Sequence, residues 1–293
     1  MSKDAPIALR KMNGLGNDFA VLDLRARPRA LTLSNDQVRR IADRESGVGC
    51  DQVIAIEPSS EGADAFMRIW NHDGGEVEAC GNAMRCIASV LADELGRQQV
   101  TIETRAGVLS ATLNPDASVT VDMGAPKFRW DEIPLAEEFH DTRTIELQAG
   151  PIDDPVLHTP SAVNVGNPHC IFWVDDVEAH DLARIGPLLE RHPLFPERAN
   201  ISLAHVTSPD AITLKTWERG AGLTRACGTA ACAVAIAAAR KGLTGRKLTV
   251  TLPGGALRME WREGDDHILM TGPSELEYEA TLDPALMTAE AVA

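Results

Sequence analysis

Two stretches of the chain place a cysteine in the same company. From Glu76 to Cys86 the sequence reads EVEACGNAMRC, and from Gly222 to Cys232 it reads GLTRACGTAAC. In both, Ala-Cys-Gly and a small polar residue open a run of helical character. A thiol at the start of a helix lies at the positive end of its dipole, a setting expected to lower its pKa. The free amides beside it, those of Gly81 and Asn82 and of Gly228 and Thr229, suit an anion such as a carboxylate. Cys80 and Cys227 used together would supply a base and an acid on opposite faces of one carbon, which is what inversion of an α-carbon stereocentre requires. Amide dipoles around the carboxylate would take up the charge of the carbanion, so neither a cofactor nor a metal is required.

A single such cysteine is more often a small buried hydrophobe. The duplication, with a matched glycine and polar residue each time, reverses that preference, and a redox pair fits the polar amide donors less well. The other four cysteines, Cys50, Cys86, Cys170 and Cys232, read as structural thiols. They form none of the close pairs that zinc takes, and a chain of 293 residues needs no disulfide staples.

The elements that must position the two thiols repeat as well. A shift of 147 residues lays WNHDGGEVEACGNA, from Trp70, onto WERGAGLTRACGTA, from Trp217, so that Trp, Gly75 and Gly222, Ala79 and Ala226, Cys80 and Cys227, Gly81 and Gly228, and Ala83 and Ala230 coincide. In the first half IALRKMNGLGNDFAVLDL reads as strand, glycine-rich turn and strand. Ser34 with Gln37 reads as a capping box opening a helix. QVIAIEP and AFMRIW follow as strands. Met84, Ile87, Leu91 and Leu95 fall at helical spacing after Cys80, with Gly96 placed to cap the end, and VTIETRA, VLSATL and SVTVDMG complete the half. The second half repeats the order: SAVNVGNPHCIFWVDD as strand, turn and strand, a helix around Leu182 to Leu189, strands ISLAHV and AITLKTW, the alanine-rich helix from Cys227 to Lys241 with Gly242 at its cap, and strands KLTVTL, ALRMEW and HILMTG.

That second helix is apolar around its whole circumference, so it should be buried on all sides. The expected fold is α+β: two pseudo-symmetric domains, each a mixed, largely antiparallel sheet curled around a central helix, with the active site in the cleft between them. The expected domains are 1–126, completed by 273–293, and 127–272. They join near GAPKFRWDEIPLAEE, Gly124 to Glu138, where the strand pattern lapses.

Composition narrows the function classes. Apolar residues make up 44% and charged residues 24%, as in soluble globular proteins. A formal net charge of −15, with no sustained basic block, argues against binding nucleic acid. No secretory leader is visible at the start of the chain, and AACAVAIAAA, Ala230 to Ala239, is far short of a membrane span. A cytoplasmic protein that binds neither nucleic acid nor membrane is the expectation.

Taken together, KMNGLGNDF (Lys11 to Phe19), GCDQ (Gly49 to Gln52), NHDGGEVEACGNAMRC (Asn71 to Cys86), GNPH (Gly166 to His169), ERAN (Glu197 to Asn200) and ERGAGLTRACGTAAC (Glu218 to Cys232) resemble diaminopimelate epimerase, in the family's order and over essentially the whole chain. The resemblance implies an isomerase that works without pyridoxal phosphate and interconverts LL- and meso-2,6-diaminoheptanedioate, on the route to lysine and peptidoglycan. It implies that Cys80 and Cys227 are the catalytic thiols, and that His169 and Glu218 assist them. Substrate binding would fall to Asn17, Gln52, Asn71, Gly81, Asn82, Asn167, Asn200, Glu218, Arg219, Gly228 and Thr229. A homodimer formed through Tyr278 is also implied. Such residue types suit a substrate with two amino-acid ends: carboxamides that donate and accept, an arginine fork for a distal carboxylate and a carboxylate for an ammonium group. The chain departs from the family's usual residues at Ala83, Ala230 and Leu223.

Blander readings of the same residues exist. Asn17 and Asn167 follow glycines in turns, where asparagine is common for backbone reasons; Glu218 and Arg219 would serve as a solvated strand end, and His169 as a satisfied strand-end histidine. At the level of function two alternatives stay open. A related cysteine-pair isomerase of the proline racemase or hydroxyproline epimerase kind would not need Asn71, Asn167, Asn200 and Arg219. A non-catalytic amino-acid sensor would need neither thiol.

Overall fold

The computed structural model describes residues 6–26, 32–78 and 80–288; Ala79 and both extreme ends of the expected first domain lie outside the described residues. The chain forms two compact units, Met1–Val121 with Gly272–Ala293, and Asp122–Thr271. Among the described residues no helix is long and apolar enough to cross a membrane.

In the first unit the strands Ala8–Gly14 and Asn17–Asp23 form a hairpin with Gly14 opposite Asn17. Its two-residue loop has positive φ at both Leu15 (64°) and Gly16 (81°), the conformation that matches strand twist. Asn13 Oδ1 accepts the Gly16 amide at 2.7 Å and holds the loop. Helix α1 (Asn35–Ala42) carries the expected capping box: Ser34 Oγ accepts the Gln37 amide at 3.2 Å, and Gln37 Oε1 accepts the Ser34 amide at 2.8 Å. It crosses to Gln52–Glu57, which lies parallel to Asn17–Asp23, and Ala65–Asn71 follows antiparallel. Helix α2 (Gly81–Leu95) then crosses to Gln99–Thr104, parallel to Ala65–Asn71 and antiparallel to Gly107–Leu113.

The second unit repeats this order with the same pairings. Ser161–Asn164 and Pro168–Trp173 form the hairpin, and helix α3 (Leu182–Glu190) leads to Asn200–Ser208, parallel to Pro168–Trp173. Ala211–Glu218 is antiparallel to it. Helix α4 (Gly228–Arg240) leads to Lys247–Leu252, parallel to Ala211–Glu218 and antiparallel to Gly255–Trp261. Each unit is thus a mixed, largely antiparallel sheet in which the parallel pairs occur where a helix crosses over.

The alanines of α4 explain its place. From Ala230 to Ala238 every residue is buried, and the helix packs against all the long strands of its unit from Ser161–Asn164 to Gly255–Trp261. Small side chains on every face let strands approach from every side. Helix α2 is buried without a break from Gly81 to Ala88. Met84, Ile87 and Leu91 are inside as expected, but Leu95, in the last turn, is 47% exposed. Gly96 caps α2 at φ 63°, its amide on Ala92 O, whereas α4 ends at Lys241, with Gly242 one residue beyond at φ 71°.

Two stretches were not read as elements, although 273–293 was expected to complete the first domain. Glu275–Thr281 pairs antiparallel with Ala8–Gly14, so the far end of the chain completes the first unit's sheet. Every residue of that strand is exposed, including the alternate apolar residues Leu276, Tyr278 and Ala280. In the stretch where the strand pattern lapses and just after it, Ile133, Leu135, Ile145, Leu147 and Leu157 are buried against Phe172, Leu182 and Phe195. It is therefore part of the second unit's core.

Candidate active site

Sheet register collects the polar residues at one end of each sheet. In the first unit Asn17 and Gln52 begin parallel strands, and Asn71, paired with Gln52, ends the antiparallel one. In the second unit His169 pairs with Asn200 near the start of parallel strands, and Glu218 ends the strand beside them. Helices α2 and α4 each open on their cysteine, with extended backbone at Cys80 (φ −145°, ψ 114°) and Cys227 (φ −128°, ψ 105°).

Around Cys80 the hydrogen bonds run through two carboxamides. Cys80 Sγ accepts the Ala83 amide at 3.5 Å and lies 3.9 Å from Asn17 Oδ1. Asn82 Nδ2 donates to the same Oδ1 at 3.4 Å, and Asn17 Nδ2 donates to Asp51 Oδ2 at 2.9 Å. Arg85, fully buried, donates through Nη2 to Asn82 Oδ1 and through Nε to Pro273 O, both at 3.0 Å. A guanidinium only donates, so it fixes which end of the Asn82 amide faces it. Beneath them Asp18 accepts from Arg44 at 3.0 and 2.9 Å and from Lys11. Burial pushes the Asp18 carboxyl up, yet these cations hold it far below the usual carboxylate range. Gln52 Nε2 donates to Asn71 Oδ1 at 2.9 Å, which leaves Gln52 Oε1 buried with no partner among the described residues. A buried acceptor of that kind is available to a donor from water or a ligand.

Around Cys227 the neighbours differ. Its Sγ lies 3.5 Å from Thr229 Oγ1, Asn167 Nδ2 is 3.4 Å from that hydroxyl, and His169 Nε2 is 2.7 Å from Asn167 Oδ1. His169 is fully buried, and burial, with a smaller push from the Arg219 cation, brings its pKa down to about 3. The Glu218 carboxyl is pushed up by burial, while hydrogen bonds from Thr224 and Cys227 pull it down. Burial pushes the Cys227 thiol well above its ordinary value, and the Glu218 carboxylate adds to the rise. The expectation that a helix start lowers the pKa is therefore overturned at Cys227, because loss of water and an adjacent anion outweigh the local amide and hydroxyl donors. Asn200 Nδ2 donates to Pro168 O at 3.1 Å and its Oδ1 accepts the Arg219 amide at 2.9 Å, which ties Arg219 to the strand start.

The structure brings together Asn17, Cys80 and Asn82; Gln52 and Asn71; and His169, Asn167, Thr229 and Cys227 with Glu218. Tyr278 stands on the exposed strand Glu275–Thr281, 45% exposed. Cys86 and Cys232 are fully buried, and burial raises Cys50 to about 11 and Cys86 to about 12, as fits packing thiols. Asp51, Arg85, Thr224 and Glu190 went unread in the sequence. Glu190, buried in α3, accepts from Trp217 Nε1 at 2.7 Å and from the Gly220 amide at 3.3 Å, and so sets the turn after Glu218 and Arg219. Asp51, Arg85 and Thr224 lie inside recognised motifs, which was the available signal; Glu190 lies outside them and acts through Trp217 and Gly220, distant in sequence.

Residues 9–129 and 161–277 match the family described as diaminopimelate epimerase. The chain is 57% identical over 286 residues to a diaminopimelate epimerase of Nitrobacter hamburgensis, covering 97% of this chain and 98% of that one. It is 59% identical over 278 residues to one of Rhodopseudomonas palustris strain HaA2, covering 94% and 93%. Among solved structures, a probable proline racemase of Agrobacterium radiobacter K84, with bound carbonate, superposes with a TM-score of 0.65 at 17% identity over 95% of this chain and 94% of that one. At that identity the likeness is one of fold.

Proposed function

The chain belongs to the diaminopimelate epimerase family, a family of isomerases, and from that membership we propose that it interconverts LL- and meso-2,6-diaminoheptanedioate without pyridoxal phosphate, in making lysine and peptidoglycan precursors. The observation that carries the reading is the pair of cysteines, each in the N-cap position of a buried helix and each followed by glycine and a small polar residue.

In one direction Cys227, as thiolate, takes the α-proton. The electron pair left on carbon spreads into the α-carboxylate, which the amides of Gly81, Asn82, Gly228 and Thr229 hold. Cys80 gives its thiol proton to the opposite face, leaving Cys80 as thiolate and Cys227 as thiol; the reverse reaction exchanges the roles. Glu218, whose proton affinity is raised beside Cys227, exchanges a proton with that thiol, and His169 assists. At the distal end Arg219 binds the carboxylate, with Asn167 and Asn200 around it. Asn17 and Asn71 orient the substrate, and the bare Gln52 Oε1 accepts from an ammonium group. The domains that do this are 1–126 with 273–293, and 127–272. The enzyme works in the cytoplasm as a homodimer joined through Tyr278.

Incubation with LL-diaminopimelate in heavy water should give meso product and deuterium at the α-carbon; turnover of L-proline alone would overturn the assignment. Cys80→Ala and Cys227→Ala should each all but abolish epimerisation. Retained turnover in both would refute the two-thiol mechanism and favour a sensor.

A further inference from the structure

The hydrogen bonds leading to Cys227 have a direction that can be worked out from their far end. His169 is neutral at neutral pH and carries one N–H, because burial holds its pKa down to about 3. Nε2 faces Asn167 Oδ1 at 2.7 Å, while Nδ1 is buried with no partner among the described residues. A proton on Nδ1 would strand a buried donor. On Nε2 it leaves only a buried acceptor unpaired, which costs less. The ring therefore donates to Asn167 Oδ1, and Asn167 turns its Nδ2 toward Thr229 Oγ1 at 3.4 Å. A hydroxyl that accepts there directs its own proton at its remaining neighbour, Cys227 Sγ, at 3.5 Å.

We propose that the Thr229 hydroxyl, turned by His169 and Asn167, is a catalytic hydrogen-bond donor that stabilises Cys227 as thiolate. The proposal rests on the epimerase reading, in which Cys227 loses and regains a proton. It also gives His169 a definite role, in which the ring sets the direction of a hydroxyl and exchanges no proton with substrate. At the repeat position of Thr229 the first unit has Asn82, whose side chain carries no hydroxyl. Cys227 thus has a hydroxyl donor for its charged form, offsetting the burial and the Glu218 carboxylate that oppose it.

The test uses the full chain with Thr229→Val, which keeps the shape and removes the hydroxyl, and Thr229→Ser, which restores it. Peptide-resolved iodoacetamide alkylation against pH reads Cys227 and Cys80 separately and needs no substrate. In T229V, Cys227 alkylation at pH 8 should slow about tenfold, the scale of losing a hydrogen bond to a charged atom, with Cys80 unchanged. The ascending limb of kcat/KM against pH should move to higher pH, and kcat/KM should fall by one factor in both directions, because the equilibrium is fixed. T229S should recover most of both. If the valine variant does not fold, Thr229→Ala, which removes atoms only, must show the same loss. Parent-like Cys227 alkylation and pH profile in the variant lacking the hydroxyl would overturn the proposal, as would a serine variant no better than it. Absence of α-proton exchange by the parent would instead refute the functional reading; the alkylation series would still decide the role of Thr229.

Discussion

At Cys227 two effects of the same sign compete with the helix start, and substitution can separate them. Burial contributes most to the raised proton affinity of the thiol, and the Glu218 carboxylate adds to it. Glu218→Gln removes the anion and leaves the burial, so Cys227 should titrate lower than in the parent yet still above an ordinary thiol. If Glu218 also exchanges a proton with the thiol, kcat should fall about 100-fold in the same variant. A more acidic thiol in a slower enzyme is the expected result, read by alkylation against pH and by initial rates; a variant with unchanged Cys227 titration would contradict it. In the sequence the repeat singled out Cys80 and Cys227, and both stand at the N-cap of a helix. The repeat did not tell their proton affinity, since Glu218 reaches Cys227 only through the hairpin formed by Ala211–Glu218 and Gly222–Leu223.

Helix α3 shows how an element positions a site without touching the chemistry. Gly186 lies against the indole of Trp217, where an added Cβ would come within 2.5 Å of Cγ. Trp217 adjoins Glu218 and Arg219, and its indole N–H is held by Glu190 from the same helix. Gly186→Ala should destabilise the protein by about 1–3 kcal/mol through overpacking and raise KM for diaminopimelate, measured by urea unfolding and initial rates. Wild-type stability would mean that α3 and the strand separate freely. Elements whose cause is local were legible: Ser34 with Gln37 marked α1, and unbroken alanines marked α4 as central. Arg85 was not, because a cation between Met84 and Cys86 reads as a solvent-facing turn of helix. Its burial depends on a carbonyl at Pro273, 188 positions away. Nor was Glu275–Thr281 read as a strand, since its partner Ala8–Gly14, joined to it by backbone pairing and by the Arg10–Glu279 and Asn13–Glu277 hydrogen bonds, lies at the other end of the chain.

For the whole molecule, the fully buried His169 couples stability to pH. An unfolded histidine takes a proton near pH 6.5, whereas His169 in the folded protein resists it down to about 3, through burial and then the Arg219 cation. Its stabilising contribution is complete above the unfolded value and is lost as pH falls through that window, by up to about 1.4 kcal/mol per pH unit. Glu218 acts in the opposite sense: its raised pKa lets the folded state keep a proton that the unfolded chain has released, so its contribution weakens as pH rises above the ordinary glutamate value. Denaturant unfolding between pH 6 and 4 should therefore show a shallower loss of stability in His169→Asn than in the parent; parallel slopes would contradict the burial of a neutral ring. The pairing of Ala8–Gly14 with Glu275–Thr281 has a consequence in time as well as in space. At translation rates of about 5–20 residues per second, the first strand waits roughly 13–50 s for its neighbour. The second unit is continuous in sequence and can close before the first, so the part of the enzyme that is synthesised first is the last to be finished.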